Sequence, residues 1–488
     1  MSSEQSPTKP NRRGVIGVFV GAGAVSGLGQ DAALGGRALR SRALLDVMHF
    51  GATGDGIADD TAAFVAALSA ARQDNREHNG VSIPPGTFRV DGPVAIRPGQ
   101  SLIGSGYATL IDARKATGPV FVCSNSDAPD AGTPPVTIRA LRGLGGVSGA
   151  AFVCVNLAGF SLSDMFLSAP GIGIQIDGGA DGIISNIQID QGLNGLVVHN
   201  SQNLVMSSIL MFNVHFGLTL SGNCADIALS GSQFSYAQYA SILAADGACI
   251  RGMAINGCAF TSNEQRETFI GHFHCRATEA SASFNACSFR NWRGFAVRQG
   301  VRAGVHLDFS NCSFDGLRSN VAYNQSLDAG VIECGEGGAY SFSACQFRDL
   351  QGPIAAFGSG PAGISILHGS VIRSHRTIVK SAESSQTKLT MTRLDGVAII
   401  DGHVIVLPIW PTWAGWRLNV SGSVLGQQGL DCELIILPNS LDAAHVLTLW
   451  SSAATFASIS ALIVRDTVRV DLAKYGMAIV EASASTLP

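Results

Sequence analysis

Two aspartates stand side by side in the stretch GDGIADDTAAF, residues 54–64. Paired carboxylates are the groups that a glycosidase uses to cleave a sugar bond. However, apolar residues follow at helical spacing over 61–72, and Asp59 or Asp60 lies where a helix N-cap belongs. A carboxylate at that position accepts hydrogen bonds from the free N–H groups of the first turn and suits the helix dipole. We therefore predict that this pair begins a helix and is not catalytic.

Carboxylates that suit catalysis lie later in the chain. Glycoside hydrolysis needs two of them, roughly 5–10 Å apart across the bond that is cleaved. Several acidic residues recur at spacings that would bring them to neighbouring turns of a repeat. The candidate pairs are Glu264 with Asp315, Asp315 with Asp349, and Asp190 with Asp164, Asp177 or Asp226.

A second group of titratable residues lies in NEQRETFIGHFHCR, residues 263–276. This stretch is an insertion between repeats, and such insertions often carry function. Glu267, His272 and His274 form an alternative acid–base set. The two histidines alternate, which predicts that they share one face of a strand. A metal pair is the less favoured alternative, because a solvated or hydrogen-bonded histidine pair is commoner, and no metal ligand is assigned.

Aromatic and basic residues near these positions suit a sugar-binding role. Aromatic rings offer stacking platforms, and arginines bind the carboxylates of an acidic glycan with two hydrogen bonds. The alternative is a solvated surface with stacked Arg–Asp pairs, which contribute about 0–1 kcal/mol each. The candidate substrate-binding residues are Asp190, Tyr236, Arg290, Trp292, Arg293 and Arg348.

A repeat must position these side chains. Short units that alternate apolar, polar and apolar residues end at steps of 22–33 residues. Leucine-rich repeats have a similar period, but their leucine pattern is absent. The steps instead predict a parallel β-helix, whose coils stack about 4.8 Å apart and bring equivalent side chains into rows. The apolar ends of the units are Leu167, Ile189, Met211, Phe234, Phe260, Phe289, Phe314, Phe347 and Ile372.

Four cysteines occupy one slot of this repeat, two residues before the apolar end. They are Cys258, Cys287, Cys312 and Cys345. A repeated slot favours packing of small apolar side chains inside the coil over disulfides or a metal site. The residue after each apolar end should face outward, which places Asp190, Arg290, Asp315 and Arg348 in one outer row.

The N-terminal part of the chain carries a family resemblance. The stretches MHFGATGDGIADDTAAFVAAL (48–68) and GVSIPPGTFRVDGPVAIRPGQSLIGSG (80–106) resemble the opening of the pectate-lyase superfamily, and more narrowly the rhamnogalacturonase/epimerase-like pectate lyase domain. The repeats extend this resemblance to about residue 375. It implies a right-handed, single-stranded parallel β-helix, capped at its N-terminal end by the 61–72 helix, and a role in binding or cleaving polysaccharide.

The catalytic motifs of that superfamily do not carry over. The R-x-P-x-x-R signature of metal-dependent pectate lyases is absent, and so are the catalytic motifs of polygalacturonases. The fold is therefore implied, whereas the mechanism is not.

The chain divides into four predicted parts. Residues 1–40 form an N-terminus in which Arg12–Arg13 and an uncharged stretch resemble a twin-arginine export signal, the alternative being a disordered tail. Residues 41–115 form the cap and first strands, 116–375 the rungs of the β-helix, and 376–488 a β-rich C-terminal section. We expect an exported protein of the periplasm, the extracellular space or the cell surface.

Composition narrows the function. A net charge of −4 and 14% charged residues give no general attraction to nucleic acid or to a membrane, and no membrane span is expected in the mature chain. We expect a carbohydrate-active protein that cleaves a polysaccharide, acidic glycans included, by hydrolysis or β-elimination. The alternative is a non-catalytic glycan-binding or structural β-helix, such as a surface adhesin or a phage tailspike-like fibre. No cofactor is expected, except Ca²⁺ if the protein is a lyase, and a homo-oligomer is compatible with the fold.

Overall fold

A computed structural model describes most of the chain between Leu44 and Ala484. The described residues are 44–73, 80–124, 135–145, 151–168, 170–262, 269–292, 294–299, 304–316, 330–348, 354–357, 363–367, 371–374, 377–380, 386–400, 403–406, 416–422, 430–435, 449–450, 462–464, 468–470 and 479–484. All of them belong to one unit of the chain, Arg42–Pro488. The predicted export segment lies outside the described residues.

The described residues form one α-helix, α1 (Thr61–Gln73), two short 3-10 helices (Val47–Phe50 and Gly106–Ala108) and 42 strands. The first strands are β1 Leu45–Asp46, β2 Asp55–Asp59, β3 Gly80–Ser82, β4 Gly86–Arg89, β5 Val94–Ile96, β6 Ser101–Ile103, β7 Thr109–Asp112, β8 Phe121–Ser124, β9 Val136–Leu144, β10 Ala151–Asn156, β11 Ala158–Ser168, β12 Ile172–Asp177, β13 Ala180–Asp190, β14 Asn194–His199, β15 Gln202–Phe212 and β16 Phe216–Ser221. The next are β17 Asn223–Ser230, β18 Gln233–Ser235, β19 Ala240–Ala244, β20 Cys249–Asn256, β21 Ala259–Thr261, β22 Gly271–Cys275, β23 Glu279–Asn285, β24 Ser288–Arg290, β25 Phe295–Gln299, β26 Gly304–Ser310, β27 Ser313–Asp315, β28 Gly330–Cys334, β29 Ala339–Ser343 and β30 Gln346–Arg348. The last are β31 Ala355–Phe357, β32 Gly363–Leu367, β33 Val371–Ser374, β34 Thr377–Lys380, β35 Gln386–Ile400, β36 His403–Val406, β37 Trp416–Gly422, β38 Leu430–Ile435, β39 Leu449–Trp450, β40 Leu462–Val464, β41 Val468–Val470 and β42 Ile479–Ala484.

The chain winds as a right-handed parallel β-helix, as predicted. Each coil has three straight segments, which we call face 1, face 2 and face 3. Face 1 contains strands such as β12, β14 and β16, which pair with one another in parallel. Faces 2 and 3 are the first and second halves of long strands such as β13, which bends at Asn186, a residue with φ of 51°. Similar left-handed residues, Asp164 and Ser208, bend β11 and β15 at the same corner.

The repeat found in the sequence is the register of face 3. Leu167 pairs with Ile189, Ile189 with Met211, and the row continues in register through Phe234 to Ile372. Its five phenylalanines stack inside the coil, with ring centroids 4.8–5.3 Å apart in successive pairs. The predicted inner row is therefore confirmed.

The four cysteines of the repeat are thiols outside any disulfide and are buried in the core. Each sulfur donates to the carbonyl two residues earlier, as Cys287 does to Asn285 at 3.4 Å and Cys312 to Ser310 at 3.3 Å. The pKa values of Cys287 and Cys312 rise to about 12 in this thiol row, so both stay protonated. This confirms packing in the coil over disulfides.

Helix α1 occupies the position that a face 1 strand would fill in the first coil. It follows β2 of face 3 and packs against β5, the first strand of face 1. Phe64 anchors it through edge contacts with Phe88, at 5.9 Å between ring centroids. The predicted capping helix is thus present over Thr61–Gln73.

The two aspartates before α1 have different roles, although the sequence predicted a single N-cap. The Asp59 carboxylate accepts from the Thr61 backbone N–H at 3.0 Å. The carboxylate of Asp60, which is 2% exposed, instead accepts from the backbone N–H groups of Thr53 at 2.7 Å and Gly54 at 3.3 Å. The pair is structural, and Asp60 also closes the preceding turn.

The C-terminal section is β-rich, as predicted, and its strands differ in direction from those of the coils. Antiparallel pairs join β35 with β36, β36 with β39, β37 with β38 and β42, and β40 with β41. The domain boundaries proposed from the sequence stay predictions.

Candidate functional site

Two rows of side chains cover the outside of face 3. The central outer row comprises Arg142, Phe166, Gln188, Leu210, Gln233, Ala259, Ser288, Ser313 and Gln346. The edge outer row, two residues further along each strand, comprises Leu144, Ser168, Asp190, Phe212, Ser235, Thr261, Arg290, Asp315 and Arg348.

Four candidate site residues therefore lie in the edge outer row: Asp190, Arg290, Asp315 and Arg348. Asp315 pairs in register with Arg290 on one side and with Arg348 on the other, and both arginines are exposed. Asp190 lies four coils before Arg290 in the same row. Four further candidates, Glu264, Glu267, Arg293 and Asp349, lie outside the described residues, and their roles stay predictions.

His272 is not a surface acid–base residue, and this prediction was wrong. Its side chain is 0% exposed and packs against Phe269, with 4.9 Å between ring centroids. Nε2 donates to the Arg290 carbonyl at 3.0 Å, so Nδ1 accepts from the Ser241 hydroxyl at 3.2 Å. Burial lowers the pKa of His272 to about 4 and keeps the ring neutral.

The two histidines do not share a strand face either. His274 follows Leu243 and precedes Arg298 in the outward row of face 1. His272 occupies the slot that Ser241 fills one coil earlier and Gly217 two coils earlier. A Cβ on Gly217 would lie 2.6 Å from the Phe234 ring. That slot faces the core, because the chain turns a corner at the start of face 1 and the alternation of sides is broken there.

Trp292 was also predicted wrongly as a sugar platform. It is 5% exposed, and its indole N–H donates to the Gly330 carbonyl at 2.8 Å. The ring therefore packs into the core at the corner after face 3.

Tyr236 does present a ring to solvent. It is 37% exposed, and it contacts Phe212, which is 40% exposed, edge to face at 5.2 Å between ring centroids. Asp190 precedes Phe212 in the edge outer row. Burial raises the pKa of Asp190, and its Oδ1 is buried with no hydrogen-bond partner among the described residues. An aromatic pair thus lies beside a carboxyl group whose pKa is raised by burial.

A cavity of about 310 Å³ opens on the same face, at the corner between faces 2 and 3. From β11 onward this corner is turned by single left-handed residues. Between β6 and β7 it is turned by a longer segment, residues 104–108, which contains a 3-10 helix. Tyr107 projects from that segment, is 68% exposed, and forms one wall of the cavity.

Three side chains of this wall form a compact group. The rings of Tyr107 and Phe166 have centroids 5.7 Å apart, with 37° between their planes. The guanidinium carbon of Arg142 lies 5.7 Å from each centroid. A cation within about 6 Å of an aromatic ring is attracted to it. The Arg142 Nε has no hydrogen-bond partner among the described residues.

Polar side chains also line the cavity. Asn186 donates to Asp164 Oδ1 at 2.7 Å, and the Ser163 hydroxyl donates to Asp164 Oδ2 at 3.1 Å. Gln188, the register neighbour of Phe166, and Ser208 belong to the same lining. We call the cavity with its lining residues the corner pocket. It joins an apolar platform, one cation and several groups that hydrogen-bond with hydroxyls.

The carboxylates near the corner pocket are widely spaced. Asp164 lies at the corner, and Asp190 lies four residues beyond the corner on the next coil. At about 3.3 Å per residue and 4.8 Å per coil, their Cα atoms are roughly 14 Å apart, whereas glycoside hydrolysis uses carboxyl groups about 5–10 Å apart. Asp177 ends β12 on face 1 and Asp226 lies on face 2, so neither shares the outer surface of face 3 with Asp190.

The corner pocket could not be found from the repeat, because the row of bulky apolar residues is interrupted at Gly143. This residue pairs with Leu167 in the inner row, but it is not apolar and bulky. A Cβ on it would lie 2.4 Å from the Phe152 ring, so the slot is already filled. Extending the row one coil further would have found Arg142 beside Phe166.

No group of three or more His, Cys, Asp or Glu side chains that could hold a metal ion occurs in the part of the chain that the structure describes. Likewise, no helix among the described residues is long and apolar enough to cross a membrane.

Comparison with known proteins supports the resemblance seen in the sequence. Residues 44–143 match the family described as Rhamnogalacturonase A/epimerase, pectate lyase-like. This confirms the predicted resemblance to a pectate-lyase-like β-helix. No curated protein matches the chain at a significant level.

Several solved structures are similar in architecture. The surface adhesin PfbA of Streptococcus pneumoniae is 13% identical, with a TM-score of 0.46, and the match covers 75% of this chain and 97% of the adhesin. A GH87 alpha-1,3-glucanase catalytic unit from Streptomyces thermodiastaticus is 14% identical, with a TM-score of 0.42 and coverages of 75% and 71%. An Acinetobacter phage tailspike is 10% identical, with a TM-score of 0.44 and coverages of 74% and 63%.

Proposed function

We propose that this protein binds a polysaccharide on the outer surface of face 3, with the corner pocket as the anchor for one sugar unit. The observation that carries the proposal is the group formed by Tyr107, Phe166 and Arg142, which lines one cavity together with Asp164 and Asn186. Sugars present an apolar ring face and a rim of hydroxyls. The aromatic and the polar lining residues suit these two surfaces.

The rest of face 3 would extend the contact along the β-helix axis. Phe212 and Tyr236 offer a second exposed platform beyond Leu210, which itself lines the corner pocket. Further coils bring Arg290 and Arg348 into the edge outer row. A chain of sugars that runs across successive coils would meet these groups in turn. Such a ligand implies that the protein works outside the cytoplasm, in agreement with the predicted export segment.

Polysaccharide cleavage is the second candidate function, and Asp190 favours it. A carboxyl group whose pKa is raised by burial is suited to act as a general acid. Its catalytic partner stays a prediction. Asp315 lies five coils from Asp190, roughly 24 Å away at about 4.8 Å per coil, which is too far for that role. Glu264, Asp315 and Asp349 form a separate set of predicted catalytic residues.

A panel of neutral and acidic polysaccharides tests both functions. Binding would be measured by affinity gel electrophoresis, and cleavage by new reducing ends and by the ultraviolet absorbance of unsaturated uronate. Phe166→Ala should weaken retention, whereas Ala259→Ser, in the same central outer row away from the corner pocket, should not. Retention equal in both variants, or no retention by any polysaccharide, would reject the binding proposal.

The cleavage proposal has its own test. Asp190→Asn should abolish new reducing ends while retention is kept, and repeating the assay with EDTA would test the predicted calcium requirement of a lyase. Absence of both products for the whole panel leaves glycan binding alone.

A further inference from the structure

Arg142 and Asp164 place one cation and one carboxylate in the corner pocket. The remaining polar lining groups are neutral amides and hydroxyls: Asn186, Gln188 and Ser208. Asp164 is exposed, so water partly screens its interaction with a charge on a ligand. Which sugars enter then depends on how each of the two charged groups can contact a ligand.

The Arg142 guanidinium already contacts two aromatic rings. It lies over two ring faces, each 5.7 Å from the centroid, and this orientation is set by Tyr107 and Phe166 together. A carboxylate ligand binds arginine best in the plane of the guanidinium, with two parallel hydrogen bonds. Here the Nε edge of that plane is buried. The side-on fork that a carboxylate prefers is therefore closed to a ligand.

Two neighbouring side chains hold the Asp164 carboxylate in place. It accepts one hydrogen bond on each oxygen, from Asn186 and from Ser163. An ionised carboxylate has about four acceptor sites, so sites remain for the hydroxyl groups of a ligand. A second carboxylate in the same cavity would be repelled by it.

From this arrangement we infer that the corner pocket selects a neutral, hydroxyl-rich sugar unit and rejects a uronate, with Asp164 as the residue that sets this specificity. The inference rests on the proposed glycan-binding function and names the ligand class of the same pocket. Arg142 then contributes as a rigid, weakly hydrated wall that donates to hydroxyls.

The test compares ligands that differ only in charge. Polygalacturonate and its carboxyl-reduced form, a neutral polymer with the same linkage, would be titrated against the full chain by affinity electrophoresis, together with a neutral glucan and a neutral mannan. We expect the wild-type protein to bind neutral polymers at least about tenfold more tightly than polygalacturonate. Asp164→Asn keeps the acceptor for Asn186 and removes the charge, so it should reduce that ratio about tenfold.

A second variant keeps the inference open to refutation if Asp164→Asn does not fold, which circular dichroism would reveal. Arg142→Gln should weaken the binding of neutral and acidic polymers by similar factors. A selective loss of acidic binding in this variant, or tighter binding of polygalacturonate by the wild type, would overturn the inference while glycan binding stands. Absence of retention for all the polymers would overturn both.

Discussion

The ring of Tyr107 lies 5.7 Å from that of Phe166, between centroids, although the two residues come from different coils. Tyr107 extends from a turn before β7, whereas Phe166 belongs to the central outer row on β11. The aromatic platform thus combines one residue of a turn with one residue of a regular strand. The strand residue is fixed by the register, and the loop residue is the one that can be changed without touching the core.

The first prediction concerns that loop residue. Tyr107→Ala should weaken binding to a retained polysaccharide by roughly five- to tenfold, because stacking on one aromatic ring is worth about 1 kcal/mol. Since Tyr107 is 68% exposed, the melting temperature should stay the same. Titration calorimetry would measure the affinity. Tyr107→Phe keeps the ring and serves as the control, and equal loss in both variants would contradict stacking.

The second prediction separates the two aspartates before α1. Asp60→Ala should lower the free energy of unfolding by about 1–3 kcal/mol, because it leaves two backbone N–H groups of the preceding turn without their acceptor. Asp59→Ala should cost about 0.5–1 kcal/mol, the usual value of an exposed helix cap. Urea unfolding of the two variants side by side would measure the difference. The reverse order would disprove the assignment of Asp60 to the turn.

The third prediction concerns the phenylalanine row. Phe289 is 0% exposed and stacks between Phe260 at 5.0 Å and Phe314 at 4.8 Å. Phe289→Ala should lower the free energy of unfolding by about 3–5 kcal/mol, since the cavity cannot close between two rigid rings. Phe289→Leu fills most of that volume and should cost less than about 1.5 kcal/mol. Similar losses in the two variants, measured by urea unfolding, would argue against a volume effect.

The fourth prediction is a pH dependence of stability. The pKa of His272 is lowered from 6.5 in the unfolded chain to about 4 in the fold, so between these values the unfolded state binds a proton that the native state does not. Stability should therefore be full above pH about 6.5 and fall as the pH drops toward 4. The expected loss from His272 is on the order of 2–3 kcal/mol.

A variant isolates this contribution. His272→Gln cannot titrate, and its stability should fall less over the same pH range in urea unfolding curves. The pKa of His274 is also lowered to about 4, first by burial and then by Arg298, so a smaller fall should remain. Parallel pH profiles for wild type and His272→Gln would show that the ring is protonated equally in the folded and unfolded states.

Much of the β-helix could be predicted from the sequence because a row of equivalent residues repeats at a readable interval. Phe234, Phe260 and Phe289 mark successive coils even though the turns between them differ in length. The outward direction of Arg290 and Asp315 followed from the same alternation. These predictions depend only on the period of a strand and on the stacking of coils.

The predictions that were wrong concern residues where the alternation of inward and outward side chains is broken. His272 lies at a corner where the side chain turns inward, and a strand-based count cannot locate such a corner. Trp292 follows face 3 at the next corner and is buried for the same reason. Tyr107 comes from a turn that precedes the readable repeat, so nothing in its spacing connects it with Phe166.

The bends at Asp164, Asn186 and Ser208 have a further consequence. They are spaced by 22 residues, and the strands that contain them pair in register from one coil to the next. A whole coil can therefore be gained or lost by duplication or deletion of such a segment, with the new neighbours already in register. The length of the outer surface on face 3 can change over evolutionary time in discrete steps of about 4.8 Å. The outer surface of face 3 can thus lengthen or shorten without any redesign of the interior.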